Sequence, residues 1–105
     1  MTIATFNVAA GHGHVDVELS GEIDLDNAPE IEAKIHKATS GDTTSVTLDL
    51  SGLNYVDSIG MRVLFVLASR LESRGVPLAI VAGPGSMARR VVELSGLTSI
   101  ASLHP

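Results

Sequence analysis

Val15, Val17 and Leu19 alternate with Asp16, Glu18 and Ser20, the period-two pattern of a strand with one face buried and the other wet. Thr2–Val8 is also rich in β-branched residues, and Gly11-His12-Gly13 between the two segments accepts positive φ. Together they predict an antiparallel hairpin over Thr2–Val8 and His14–Ser20. The period then lengthens. Ala28, Ile31, Ile35 and Ala38 recur at helical spacing among Glu30, Glu32, Lys34 and Lys37, so a helix lays one apolar stripe on the sheet. Asn27 as N-cap, Pro29 in the first turn and Glu30 as the return half of a capping box open this helix, and Gly41 stops it.

Val46-Thr47-Leu48-Asp49-Leu50 predicts a buried strand, and Ser51-Gly52-Leu53-Asn54 reads as a turn. A long helical run follows from Ser58 to Arg74. Its apolar residues leave only a narrow polar stripe through Arg62, Ser69, Glu72 and Ser73, so most of its circumference calls for cover. Gly75 ends it, Val76–Val81 predicts another strand, and Gly83-Pro84-Gly85 is a loop. Ser86 caps a third helix closed by Gly96, with Met87, Val91 and Leu94 as its inner face. Thr98–Leu103 predicts a short edge strand.

The order β-β-α-β-α-β-α-β describes one α/β domain over residues 1–105. Strands separated by single helices imply right-handed crossovers and a mixed, mostly parallel sheet with an antiparallel edge. In such sheets functional groups gather in loops beyond the carboxyl ends of strands, near the point where strand order reverses. Here those loops are Glu22–Asp26, Asp57–Gly60 and Gly83–Gly85.

Charge and composition narrow the chemistry. Seven bases against twelve acids give a net charge of −5, which disfavours generic nucleic-acid or anionic-membrane binding. The halves differ: residues 1–56 hold nine acids and two bases, residues 57–105 three acids and five bases. Phe6, Tyr55 and Phe65 are the only aromatics, too few for base- or sugar-stacking platforms. The chain has no cysteine, which excludes disulfides, thiolate metal sites and a Cys nucleophile and fits a reducing compartment. The start lacks the pattern of a secretion signal, and the longest apolar run, Val63–Ala68, is far below the ~20 residues of a membrane span. A cytoplasmic protein without cofactor is expected.

Asp57-Ser58-Ile59-Gly60 is the sharpest local motif: a hydroxyl at a strand-to-helix junction, beside a carboxylate and followed by glycine. Ser58 caps or opens the helix, or it is a modified residue. Phosphate there would meet helix N–H groups and the positive end of the dipole, and would add about −1.5 to −2 charges beside Asp57. A hydrolase elbow needs glycine two residues before the serine, where Val56 stands, and His12, His14, His36 and His104 lie elsewhere along the chain. His12-Gly13-His14 leaves a metal site short of ligands and reads as a pair of exposed turn histidines. Gly83-Pro84-Gly85-Ser86 lacks the lysine of a phosphate loop. Among the acids of 22–32, Asp24 is the one that helix capping does not explain, which makes it a candidate recognition residue.

Gly21-Glu22-Ile23-Asp24 before Asn27-Ala28-Pro29-Glu30, Asp49-Leu50-Ser51-Gly52-Leu53 before Val56-Asp57-Ser58-Ile59-Gly60-Met61, and Val92-Glu93-Leu94-Ser95-Gly96-Leu97 together resemble a STAS domain of the bacterial anti-sigma factor antagonist branch. The resemblance runs from about residue 3 to 103. It implies that a partner kinase, itself the anti-sigma factor, phosphorylates Ser58. The unmodified protein would bind that kinase and free sigma, and a phosphatase would restore the hydroxyl. Asp24, Asp57, Ser58, Gly60, Met61 and Arg62 would form the partner surface, and the domain would be a switch substrate and not an enzyme. Ile59, Met61 and Arg62 depart from the family's usual hydroxyl, leucine and small residue, which bears on which partner is recognised. The alternative is a STAS subunit docked permanently on a transporter ATPase through the apolar second helix.

Overall fold

A computed structural model describes residues 4–105, so Thr2 and Ile3 of the expected first strand lie outside the described residues. The elements follow the expected order: β1 (Ala4–Gly11), β2 (His14–Ile23), α1 (Ala28–Thr39), β3 (Ser45–Val56), α2 (Ser58–Ser73), β4 (Leu78–Val81), α3 (Met87–Ser95) and β5 (Ser102–His104). The sheet runs β1-β2-β3-β4-β5, with β1 antiparallel to β2 and every other pair parallel. The mixed α/β fold with one antiparallel edge is therefore as expected.

The strand order never reverses, which corrects the expected switch point. Each crossover steps one strand in the same direction. Alternation along the strands gives the consequence: Val15, Val17, Leu19, Val46, Leu48, Leu50, Leu78 and Ile80 are buried, while Asp16 and Glu18 are exposed and Thr47, Asp49 and Val81 half-buried. One sheet face is therefore covered, and Ala28, Ile31 and Ile35 of α1, Leu64 and Ala68 of α2, and Ala88 and Val92 of α3 join its inward residues in one cluster. Among the described residues no helix covers the other face.

Four local readings change. The turn expected at 51–54 is continuous strand, because Leu53 is buried and β3 keeps pairing with β2 as far as Ile23↔Val56. Register shifts after Glu18 and Gly21 absorb the irregularity, and Gly52 is needed there, since a Cβ would meet the Ser20 Cβ at 2.7 Å. The capping box at α1 does not form. Asn27 Oδ1 accepts from the Asp24 N–H instead of a helix donor, and Glu30 pairs with Lys34 at 3.2 Å. In α3 the buried residues are Ala88 and Val92, while Leu94 is 77% exposed. The helix is rotated about one position from the expected face, with Arg89 Nη1 donating to the Ala82 carbonyl. The expected last strand splits into a 3-10 turn, Leu97–Ser99, and β5 at the sheet edge.

Candidate functional site

Parallel strands bring the carboxyl ends of β2 and β3 side by side, so the loop after Ile23 and the start of α2 meet at one rim of the sheet. Asp57 holds them together. It is the N-cap of α2, and its Oδ1 accepts from the Gly60 N–H at 2.8 Å. Its Oδ2 accepts from the Leu25 N–H across the chain at 3.0 Å, and its own N–H donates to the Ile23 carbonyl at 3.2 Å. One carboxylate thus closes a helix start and pins a loop.

The loop has its own frame. Asp24 Oδ1 accepts from the Asp26 N–H at 2.9 Å, and the Asp24 carbonyl accepts from the N–H groups of Asn27 and Ala28. Asn27 Nδ2 donates to the Glu22 carbonyl at 2.8 Å. Asp24, left over by capping logic, is the turn former that presents Leu25, which is 65% exposed.

Ser58 is the first residue of α2, exposed, so Asp57 and not Ser58 caps the helix. Among the described residues no hydrogen bond engages its hydroxyl. Gly60 lies beneath. A Cβ there would come within 2.6 Å of Val56 Cγ2, 2.9 Å of Ile23 Cγ2 and 3.0 Å of the Ile23 carbonyl oxygen, so glycine lets α2 begin hard against the strand ends. Met61 is half-buried against the core. Arg62 is exposed on the next turn, over the crevice between α1 and α2.

Of the six residues expected at the partner surface, the fold gathers Asp24, Asp57 and Ser58 at one rim with Arg62 alongside, while Gly60 supports from below. Sequence reasoning missed the apolar part. Leu25, Ile59 (37% exposed) and Tyr55 (49% exposed) lie on the segments that meet at this rim, Leu25 bonded through its N–H to Asp57 and Ile59 next to Ser58 in the chain. Leu25 had a signal: a lone large apolar residue between Asp24 and Asp26 in a polar loop.

His12 is an exposed turn residue with φ 54°, as expected of it. His14 is not. It stands half-buried on β2, Nδ1 bonded to Ser45 Oγ at 2.6 Å and Nε2 to Asp16 and Thr47 at 3.1 and 3.2 Å, which knits β2 to β3 at the amino ends of these strands. Among the described residues no three His, Cys, Asp or Glu side chains are grouped to hold a metal, and no helix is long and apolar enough to cross a membrane.

The family model for the STAS domain matches residues 5–105. The chain belongs to the STAS domain family. This STAS chain is similar to the anti-sigma-F factor antagonist RsfB of Mycobacterium tuberculosis, at 31% identity over 93 residues, 89% of this chain and 75% of the relative. It is similar to the crystal structure of an anti-sigma factor antagonist from Mycobacterium paratuberculosis, with TM-score 0.84, 28% identity and coverage of 98% and 86% of the two chains. The unphosphorylated form of the antagonist SpoIIAA shares the fold, with TM-score 0.77, 24% identity and coverage of 96% and 89%. The resemblance read from the three sequence blocks is borne out. STAS anti-sigma factor antagonists are regulatory binding proteins and not enzymes.

Proposed function

We propose that this protein is an anti-sigma factor antagonist whose unmodified form binds an anti-sigma factor that is also a serine kinase, and that phosphorylation of Ser58 ends the binding. The observation that carries this is the exposed Ser58 hydroxyl, engaged by no other described residue and standing between Asp57, which holds the Leu25 loop, and the exposed Ile59. A kinase reaches such a hydroxyl without unfolding anything. Transfer moves the γ-phosphoryl of ATP to Ser58 Oγ, with ADP leaving and the hydroxyl proton lost; a phosphatase reverses the modification by hydrolysing the ester. The names of the relatives support the antagonist role, and SpoIIAA has been solved in unphosphorylated and phosphorylated forms.

The switch follows from electrostatics. The unmodified rim offers a neutral hydroxyl and apolar Leu25 and Ile59 to a partner, flanked by the Asp57 carboxylate. A phosphoryl group adds about −1.5 to −2 charges there. Burying them in an interface fitted to the neutral hydroxyl costs more than the contact returns.

Incubation with the cognate anti-sigma factor and ATP, followed by intact-mass measurement, is expected to show one added phosphoryl group, absent from Ser58→Ala. Ser58→Asp is expected to bind the kinase at least about tenfold more weakly. Modification of the Ser58→Ala variant would move the switch elsewhere. A tight complex with a transporter ATPase that ignores Ser58→Asp would replace this reading with that of a permanently docked subunit.

A further inference from the structure

We propose that the crevice between α1 and α2 binds a single-chain carboxylate of the medium-chain fatty-acid class. The cavity there measures about 370 Å³, and sites for small molecules run from roughly 300 to 1,000 Å³. Ile35 of α1 with Val63, Leu67 and Leu71 of α2 supply an apolar floor. A second cavity of about 390 Å³ shares Val63 and Arg70 with the first and extends toward Ala28 and Ile59, so a chain can run along the helix pair. The crevice is bounded by two helices, which suits one acyl tail.

The rim supplies the sign. Arg74 closes one end, its Nη1 donating to the Thr39 carbonyl at 2.7 Å and its Nη2 to the Gly41 carbonyl at 3.2 Å. Arg70 stands over the middle, 49% exposed, with Nη1 donating to His36 Nδ1 at 3.2 Å. Its Nη2 makes a long ion pair with Glu32 Oε1 at 3.9 Å, beyond hydrogen-bond distance. Among the described residues the Arg70 guanidinium makes that one hydrogen bond, so most of its five donors remain for a carboxylate fork. Glu32 lines both cavities and offsets part of the Arg70 charge, leaving Arg74 to complete a positive rim that suits a monoanion and not a dianion. An uncharged apolar ligand would leave the guanidinium unused, and a small inorganic anion would leave the floor empty.

The experiment titrates submicellar decanoate into the protein and follows backbone amide shifts, with decanol and inorganic phosphate as controls. Decanoate is expected to bind saturably, with shifts centred on Ile35, Leu67 and Arg70. Octanoate should bind more weakly, by up to about fourfold per methylene lost. Decanol and phosphate should each bind at least tenfold more weakly than decanoate. Arg70→Gln, at a half-exposed position, should keep its thermal unfolding midpoint and bring decanoate down to the affinity of decanol. Equal binding of decanol and decanoate, filling of the crevice by phosphate, shifts lying elsewhere, or no saturable binding would each overturn the proposal.

Discussion

Asp57 does two jobs with two oxygens, and the jobs can be separated. Asp57→Ala removes the cap of α2 and the acceptor for the Leu25 N–H, so it should cost roughly 1–3 kcal/mol in urea unfolding. Asp57→Asn keeps one acceptor oxygen and should recover part of that loss. Gly60→Ala tests the packing beneath. Alanine is the better helix former by ~1 kcal/mol, yet the Cβ would press on Val56 and Ile23, and a net destabilisation of about 1–3 kcal/mol is expected. The Asp57-Ser58 pair and Gly60 were legible as a motif because helix starts use few residue types. The bond from Asp57 to Leu25 was not, since it joins positions far apart in sequence that only parallel pairing of β2 and β3 brings together. The same pairing explains Asn27. Its side chain met a loop carbonyl and a loop N–H before it could serve the helix, so local capping rules named the right residue for the wrong bonds.

Elements were read from periodicity, and periodicity fixes type better than phase. Met87, Val91 and Leu94 make one stripe on α3, Ala88 and Val92 the adjacent one, and spacing alone does not choose between them. Packing on the core chose the second. Val92→Ala is accordingly expected to cost roughly 1–3 kcal/mol, and Leu94→Lys to stay within about 0.5 kcal/mol, in parallel thermal melts. Strand β3 outran its sequence signal because Ser51, Gly52 and Asn54 look like a turn until Leu53 is seen to be buried and Gly52 to be packed on Ser20. At α2 the long apolar run predicted cover over most of the circumference, whereas the structure buries one face. Val63, Leu64, Leu67, Ala68 and Leu71 take the core, while Ile59 and the 44% exposed Phe65 stay at the surface.

At the scale of the whole molecule the acidic and basic halves of the chain do not form opposite poles. β3, from the acidic half, lies between β2 and β4, and Arg70 and Arg74 reach back to His36, Thr39 and Gly41. What stays acidic is the loop rim at Glu22, Asp24 and Asp26, next to Asp57. A fixed charge at Ser58 therefore tests binding apart from stability. It sits at a helix start, where negative charge is favoured by ~0.3–1 kcal/mol, although Asp57 beside it opposes part of that gain. Ser58→Asp should leave the unfolding free energy within about 0.5 kcal/mol of the parent while partner affinity falls, a separation that calorimetry and a binding titration can read on one sample.

The sheet face that no described helix covers offers a handle. Ala9 is exposed there, paired with Asp16, and the eight residues from Asp16 to Ile23 put roughly 20 Å of strand between it and the rim that carries Ser58. Because the chain has no thiol of its own, Ala9→Cys would give a single attachment point for a dye or a surface tether. A sensor built that way would leave the proposed switch at Ser58 facing solution, free to be captured, modified and released while it is watched.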